Sequence, residues 1–360
     1  MISGFFRHNR MQVRHAVRMT AACFISYVLG QALGLHQNQW AVLTSIIVMQ
    51  ASVGGSLKAM MDRLIGSLGG AIAGIVVVVG LHLLGIASPG AALALGLPPL
   101  TLLATLKPTY RVTPITFIIL ILTPNLQELG PVESAYQRMI EIAVGSAIAL
   151  AVSLTILPAR AHDTLAQAVS QALAAMAELM AALSKDLAGE DHVDTITATH
   201  ARIRTAIAKA ESAADEALRE RASFLSDGVD PLPVCRTLRR LRHDIAILGR
   251  TMTVSLPQPV EGILLGPITN VLVAISEFLQ RSAEATAKRA LPPLVTALDT
   301  DFASHSQAVK VIRQQGLSRI LPDDDLARIF GLGFALEQLH RDLVDLAERV
   351  AELADQPSAR

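Results

Sequence analysis

Long apolar runs separated by short polar links occupy the first part of the chain. Residues 40–53 contain no charged side chain, and residues 64–84 contain none either. A helix of roughly 20 such residues crosses a bilayer core of about 30 Å. The link between the two runs carries Lys58, Asp62 and Arg63. The pattern predicts a transmembrane hairpin, because buried helices of soluble proteins rarely follow one another without charges.

The same pattern predicts six membrane-spanning helices in total. They cover approximately residues 16–33, 40–53, 64–84, 91–106, 112–123 and 138–157. Pro98 and Pro99 are expected to break or kink the fourth helix, because each proline removes a backbone donor. Freed backbone groups are tolerated at membrane depth only beside protein or a water-filled cavity, so the fourth and fifth helices are predicted to line a path. On the third helix, Gly66, Gly70 and Gly74 form a small-residue ridge that predicts close packing against another helix.

Residues 161–360 have the pattern of a helical bundle. Their apolar residues recur in steps of three and four, as in Leu238, Leu241, Ile245 and Leu248. Such seams pack against partner helices, more often within a chain than between chains. The predicted fold class is therefore all-α, with a polytopic six-helix transmembrane domain over 1–160 and a cytoplasmic α-helical domain over 161–360. A regulatory or assembly role is expected for the second domain.

Charge is distributed unevenly between the two halves. Residues 1–160 contain 10 of the 31 Lys and Arg but 4 of the 31 Asp and Glu, and residues 161–360 contain the other 21 and 27. Nine of these ten basic residues fall in the N-terminal stretch and after the second, fourth and sixth runs, and Arg138 alone falls on the opposite side. By the positive-inside rule, this distribution predicts that both termini are cytoplasmic. The Arg-rich start is interpreted as an interfacial lead-in rather than a cleaved signal peptide, because further spans follow at once.

The predicted hairpin also resembles a known family. A Trp-Ala-Val-Leu-Thr start, a Gln before a small-residue turn, a basic link and a Gly-rich helix follow in order. The matching residues are Trp40, Ala41, Val42, Leu43, Thr44, Gln50, Ser52, Gly54, Lys58, Arg63, Gly66 and Gly70. This pattern resembles the fusaric-acid-resistance-like proteins, bacterial inner-membrane exporters grouped with the aromatic acid exporters, and it continues more weakly through 138–158.

The resemblance implies a multi-pass inner-membrane protein that exports organic carboxylates, aromatic ones among them, driven by the proton-motive force. Longer members of the family resemble two such halves in tandem. A chain with one half is therefore expected to form a homodimer or a larger homo-oligomer.

Basic residues near the predicted path supply the candidate substrate chemistry. Lys58, Arg63, Lys107 and Arg111 are predicted to stand at its cytoplasmic mouth and to concentrate small organic anions there. For each of them the alternative is a role in topology alone.

Proton coupling would require a titratable group near the path. Glu141, predicted about one turn into the sixth helix, is the leading candidate, because an acidic residue within a span is costly and tends to be functional. Arg138 lies three residues earlier and would make Glu141 structural if the two side chains pair. His82, near the end of the third helix, is a second candidate.

Signatures of enzymes, cofactors and metal sites are absent from the sequence. It contains no G-x-x-x-x-G-K-[ST], H-E-x-x-H or G-x-S-x-G segment, and Cys23 and Cys235 are not expected to form a disulfide. The basic cluster at 236–242 has acidic neighbours, so it indicates a solvated helix face or contact with membrane lipid rather than nucleic acid. Aromatic residues make up 4% of the chain and offer no obvious stacking site for an aromatic ligand.

Two other functions remain open. Plant aluminium-activated malate transporters resemble this family in placing six spans before a cytoplasmic helical domain, and they work as anion channels. A channel would need the basic path but no proton-coupled residue. The third alternative is a non-transporting membrane scaffold that acts through the helical domain.

Overall fold

Helices account for the regular secondary structure of the residues that the computed structural model describes, which are 10–86, 88–122, 126–158, 160–189, 192–223, 228–252, 256–258 and 260–355. The predicted all-α class is confirmed for these residues. The chain divides into two compact units, Met1–Arg160 and Ala161–Arg360. The first residues of the Arg-rich start, 1–9, and the last residue of the predicted fifth span, 123, lie outside the described residues.

The described part of the first unit contains six helices. They are α1 (Arg10–Ala32), α2 (Gln39–Val48), α3 (Val53–Leu83), α4 (Pro89–Leu106), α5 (Thr113–Leu122) and α6 (Leu126–Thr155). Helix α6 packs against α1, α2 and α3, whereas α5 packs mainly against α3 and α4. Helix α3 therefore joins the two groups.

Four helix ends differ from the predicted spans by more than two residues. Helix α1 begins at Arg10, six residues before the predicted start. Helix α2 ends at Val48, and α3 begins at Val53, where the Ser52 hydroxyl accepts a hydrogen bond of 2.9 Å from the Gly55 amide and caps the helix. The predicted link with Lys58 and Arg63 is consequently helical. Helix α6 begins at Leu126, twelve residues before the predicted start. Charged residues lower hydropathy without ending a helix, because Lys, Arg and Glu have high helix propensity.

Helix α4 is continuous across Pro98 and Pro99, so the predicted break does not occur. The Thr101 hydroxyl donates a hydrogen bond of 2.9 Å to the Pro98 carbonyl. The carbonyls that the two prolines leave without their helical donors are those of Ala94 and Leu95.

Five segments among the described residues are long and apolar enough to cross a membrane. Three belong to the first unit, namely α3, α4 and Val132–Thr155 of α6, and two belong to the second, Ala161–Leu187 and Glu261–Lys288. Helices α2 and α5 have only 10 residues each. At about 1.5 Å per residue such a helix reaches about 15 Å, half of a bilayer core. The predicted second and fifth spans are thus short helices.

Two N-terminal arginines bind the carbonyl groups that follow helices α2 and α6. Arg18 is 1% exposed and donates hydrogen bonds of 3.1 and 2.8 Å to the carbonyls of Gln50 and Ala51. Arg14 donates one of 3.2 Å to the carbonyl of Pro158. Cations at helix C-termini satisfy free carbonyls and interact favourably with the helix dipole. These arginines therefore tie α1 to the ends of α2 and α6.

The glycine ridge of α3 faces α5 within the same chain. A Cβ atom at Gly70 would lie 2.5 Å from the Thr113 carbonyl oxygen, and one at Gly74 would lie 2.5 Å from a methyl carbon of Leu120. Val112, Thr109 and Thr113 surround the corresponding position at Gly66. The ridge thus permits the close approach of two helix backbones.

Gly145 allows a similar approach between α6 and α2. A Cβ atom there would lie 2.3 Å from the Ala41 carbonyl oxygen, a backbone atom that cannot rotate away. We expect Gly145→Ala to lower the free energy of unfolding of the first unit by about 1–3 kcal/mol, because the two helices must move apart. Intrinsic fluorescence during thermal unfolding measures this, since Trp40 and all three tyrosines lie within residues 1–160.

Gly80→Ala is the matched control. No atom lies within 4 Å of a Cβ atom at Gly80, which is also inside a helix. This substitution should be neutral or stabilise by up to about 1 kcal/mol through helix propensity. Equal losses for the two variants would show that the contact with Ala41 is not the cause.

The described part of the second unit also contains six helices. They are α7 (Ala161–Leu187), α8 (Val193–Ala222), α9 (Leu232–Thr251), α10 (Glu261–Lys288), α11 (Thr296–Gln314) and α12 (Asp323–Ala354). Helix α7 packs against α8 and α10, α9 against α12, and α10 against α11. The seam of Leu238, Leu241, Ile245 and Leu248 lies in one continuous core. The apolar stretches of α7 and α10 contribute Met176, Met180, Leu272 and Leu279 to the same core.

Candidate functional site

Four charged side chains are buried among the described residues of the first unit. Arg18, Arg63, Arg138 and Glu141 are exposed by 1%, 5%, 8% and 3%, respectively. Burying a charge is costly unless the charge is paired, and within a membrane such residues tend to be functional. The burial of Arg18 is explained by its hydrogen bonds to the carbonyls of Gln50 and Ala51. The other three residues define the candidate site.

Arg138 and Glu141 form an ion pair on α6. The Nη1 atom of Arg138 lies 3.2 Å from Oε2 of Glu141, and the amide of Gln37 donates a hydrogen bond of 2.9 Å to Oε1 of the same carboxylate. The guanidinium lies 3.8 Å from the ring centre of Trp40. Trp40 in turn donates a hydrogen bond of 2.9 Å from Nε1 to Oε1 of Gln37. We call these four residues the Arg138 cluster.

The Arg138 cluster lies well inside α6, not near its start. Glu141 was predicted about one turn from the outer end of the sixth helix, but it is the sixteenth residue of a helix with 30 residues. At about 1.5 Å per residue, it lies about 21 Å along the helix from Thr155. The sequence placed it at the end because Glu128 and Glu133 interrupt the apolar pattern without interrupting the helix.

Arg63 lies inside α3 and has no carboxylate partner among the described residues. Its side chain is 5% exposed, and its Nε atom is buried without a hydrogen-bond acceptor. It is close enough to Arg138 for the two positive charges to repel each other. Arg63 is the eleventh residue of α3, about 15 Å along the helix from Val53. It is therefore a buried cation that the described part of the chain leaves uncompensated.

The start of α5 packs against α3 about one helical turn beyond Arg63, on the face of α3 that carries Arg63. Arg63, Gly66 and Gly70 are spaced by three and four residues, which places them on one helix face. Gly66 and Gly70 pack against the first turn of α5, where the buried hydroxyl of Thr113 has no hydrogen-bond partner among the described residues. A helix N-terminus and a cation both favour negative charge. The arrangement is suited to holding an anion.

The other predicted residues are solvent- or lipid-accessible in this structure. Lys58, Lys107 and Arg111 are exposed, and His82 is exposed in the last turn of α3. Lys107 and Arg111 flank a short turn, Pro108–Tyr110, that packs against α3 beside Gly66 and Gly69. Of the four predicted path residues, Arg63 alone is buried.

Sequence reasoning missed the roles of Trp40 and Gln37. The ring of Trp40 packs against Arg138, and its indole nitrogen donates a hydrogen bond to Gln37. Gln37 lies in an uncharged turn and gives no sequence signal. The three-residue spacing of Arg138 and Glu141 did indicate their pairing.

A metal site is not formed by the described residues, since no three His, Cys, Asp or Glu side chains there lie close enough together to hold an ion.

Comparison with known proteins gives two matches. The model of the fusaric acid resistance protein family matches residues 12–359. The inner membrane protein YccS of Escherichia coli (strain K12) is 34% identical over 74 residues. That alignment covers 21% of this chain and 10% of YccS, so the chain matches about a tenth of this relative's length.

Proposed function

The chain belongs to the fusaric acid resistance protein family, and from this premise we propose that it is a transporter that exports organic carboxylates, aromatic ones among them, driven by the proton-motive force. The family, the inner-membrane relative and the apolar helices support a multi-pass inner-membrane protein related to transport. The substrate class, the direction and the driving force are the proposal.

The uncompensated charge of Arg63 is the observation that carries this proposal. Arginine stays protonated in proteins, so Arg63 cannot lower the cost of its burial by losing its charge. A carboxylate beside it would supply the missing partner and could accept a bidentate hydrogen bond. Arg138 already has Glu141 as its partner, which leaves Arg63 as the anion-binding residue of the proposed path.

The membrane potential supplies part of the driving force. With the cytoplasm negative, it favours the outward movement of an anion by about 2.3 kcal/mol per charge for each 100 mV. A pH gradient would contribute only through a residue that gains and loses a proton, for which Glu141 and His82 remain the candidates. An anion channel is the second candidate function, and Arg63 favours it equally because its charge does not depend on a proton.

The proposed topology follows from the charges at the helix ends. We place both termini and the second unit in the cytoplasm, because the exposed Lys58 near the start of α3 and the exposed Lys107 and Arg111 after α4 lie on one side of the predicted spans. The proposed partners are membrane lipid, the organic anion and further copies of the chain. No catalytic residue or cofactor forms part of this proposal.

Flux through proteoliposomes tests the proposed function. Purified protein is reconstituted, and efflux of labelled benzoate and hexanoate is followed with an imposed pH gradient, an imposed voltage or neither. We expect Arg63→Gln to lower the flux at least about tenfold, since a charge-assisted hydrogen bond is worth roughly 1.5–3 kcal/mol. Lys58→Gln, which removes an exposed charge from the same helix, is expected to leave the flux within about twofold because exposed charges interact weakly.

The neutral forms of both acids cross lipid unaided, so the flux through protein-free liposomes is subtracted, and each condition then distinguishes one alternative. Flux that depends on the pH gradient indicates a proton-coupled exporter, and flux that follows voltage alone indicates an anion channel. Unchanged flux in Arg63→Gln would refute the role of this arginine. No flux under any condition would favour the membrane scaffold.

A further inference from the structure

Helices α11 and α12 of the second unit line an open cavity of about 520 Å³. Small-molecule sites in proteins typically have volumes of about 300–1,000 Å³. Phe302 and His340 line it with ring centres 4.5 Å apart, and His340 lies 3.2 Å from a carboxylate oxygen of Asp299. The size suits a small molecule.

Aromatic rings form the apolar wall of this cavity. Phe302 is half-buried, whereas Phe330 and Phe334 are 44% and 65% exposed. Exposed aromatic side chains gathered in one cavity are a feature of binding surfaces. Phe302 lies on α11, whereas Phe330 and Phe334 lie on α12. The three rings therefore share one cavity only in the folded protein.

Two basic side chains line the same cavity. Lys310 and Arg313 line it from α11, and neither has a carboxylate within ion-pair distance among the described residues. The guanidinium of Arg313 lies 5.7 Å from the ring centre of Phe330. The acidic side chain in the wall, Glu337, is paired with Arg341 at 3.2 Å. The free charge that faces a ligand is therefore positive.

His305 adds a buried polar group to the same wall. It is 6% exposed, and no hydrogen bond of its ring is found within the described ranges, while its nitrogen atoms remain accessible to water. A ligand oxygen that replaces this water would hydrogen-bond the imidazole.

We propose that the cavity between α11 and α12 binds an aromatic carboxylate, with its ring against Phe302, Phe330 and Phe334 and its carboxylate on Lys310 and Arg313. His305 hydrogen-bonds the same anion. This site is separate from the Arg63 site. Because its ligand belongs to the class proposed for transport, occupancy of the cavity would let the second unit respond to substrate concentration, and only this consequence rests on the proposed function.

Calorimetric titration of the full chain in lipid nanodiscs tests the proposal, with empty nanodiscs as the blank. The probe is 1-naphthoate, compared with 1-naphthamide, which lacks the charge, and octanoate, which lacks the ring. The titration uses both the unsubstituted chain and Arg63→Gln, so that binding at the first unit is separated. We expect 1-naphthoate to bind at least about tenfold more tightly than either comparison compound, because each lacks one of the two recognised features.

Two variants of the cavity lining and one control variant complete the test. Lys310→Gln with Arg313→Gln, and separately Phe330→Leu with Phe334→Leu, should each weaken 1-naphthoate binding at least about tenfold. Arg281→Gln, which removes an exposed charge on α10, should bind as the unsubstituted chain does. Slow labelling of the buried Cys235 thiol confirms that each variant is folded.

Several results would overturn the proposal. The proposal is wrong if 1-naphthoate does not bind, or if 1-naphthamide or octanoate binds equally well. It is also wrong if the variants of the cavity lining bind 1-naphthoate with unchanged affinity. A change in oligomeric state without a change in affinity would instead assign the cavity to contacts between copies. Binding here with no flux in proteoliposomes would refute the proposed transport but leave this site standing.

Discussion

Glu141→Gln and Arg138→Gln are each expected to lower the free energy of unfolding of the first unit by about 3–5 kcal/mol, and the double variant should recover most of that loss. Either single substitution leaves one charge buried without its partner, which is the costly state. The two side chains are only 8% and 4% exposed, so water cannot compensate the remaining charge. In the double variant two neutral amides can hydrogen-bond to each other and no charge remains. The measurement is thermal unfolding followed through Trp40, which contacts Arg138 directly.

Lys58→Gln serves as the control, because it removes an exposed charge from the same unit. It should change the free energy of unfolding by less than about 0.5 kcal/mol. If both single variants matched this control, the carboxylate and the guanidinium would not be compensating each other. If the losses of the single variants simply added in the double variant, the pair would have no coupling energy.

The same variants separate a structural role for Glu141 from a proton-linked one. If the double variant regains stability and its flux still responds to a pH gradient, Glu141 is a structural partner of Arg138. If it regains stability but the response is lost while voltage-driven flux persists, Glu141 carries the proton. The same set of variants therefore reports both the stability of the first unit and the response of flux to a pH gradient.

The sequence was sufficient for those features that depend on repeated spacing. The ridge of Gly66, Gly70 and Gly74 packs against α5, and the leucine seam of α9 is buried in the core of the second unit. In both cases one residue type recurs with the helical period, so the pattern specifies the face as well as the helix. The family resemblance, built on the hairpin residues, is confirmed by the family match.

Helix ends and side-chain partners were harder to predict. Hydropathy marks where a segment leaves an apolar layer, and the polar residues Lys58 and Glu133 were consequently assigned to links although they lie within α3 and α6. Burial of Arg63 depends on neighbours from other helices, which spacing within one helix does not show. The aromatic cavity of the second unit has the same origin, because Phe302 and Phe330 meet only when α11 and α12 are in place. These features require the tertiary structure.

Asp244→Asn is expected to stabilise the second unit by about 3 kcal/mol more at pH 8 than at pH 5. Asp244 on α9 is 7% exposed beside Asp342 of α12, which is 5% exposed. Burial, together with the hydrogen bond and the negative charge of Asp342, raises the pKa of Asp244 to about 7 from its ordinary value of 3.8. Between those two values the folded state holds a proton that the unfolded state has released, so stability falls by about 1.4 kcal/mol for each pH unit. The loss is complete above the folded pKa, and an asparagine removes it because it has no charge to bury.

Cys235 provides the measurement, since it lies on the same helix and is 2% exposed. Burial raises the pKa of its thiol to about 11, with a further contribution from Glu211, so the folded protein reacts slowly with thiol reagents. In a Cys23→Ser background, dithiodipyridine, which reacts at acidic as well as neutral pH, reports unfolding of the second unit alone. The unsubstituted Asp244 should show a stability that declines from pH 5 to pH 8, whereas Asp244→Asn should remove this decline.

Glu277→Gln is the control for this comparison, because its carboxylate is 65% exposed on α10. It should leave the pH profile of Cys235 protection unchanged, since an exposed carboxylate has a similar environment in the folded and unfolded states. A profile that still declines in Asp244→Asn would assign the pH dependence to another group. A flat profile with the native aspartate would mean that Arg240, whose Nε atom lies 3.4 Å from Asp342, compensates both carboxylates. Either result would decide whether this pair makes the stability of the second unit sensitive to pH near neutrality.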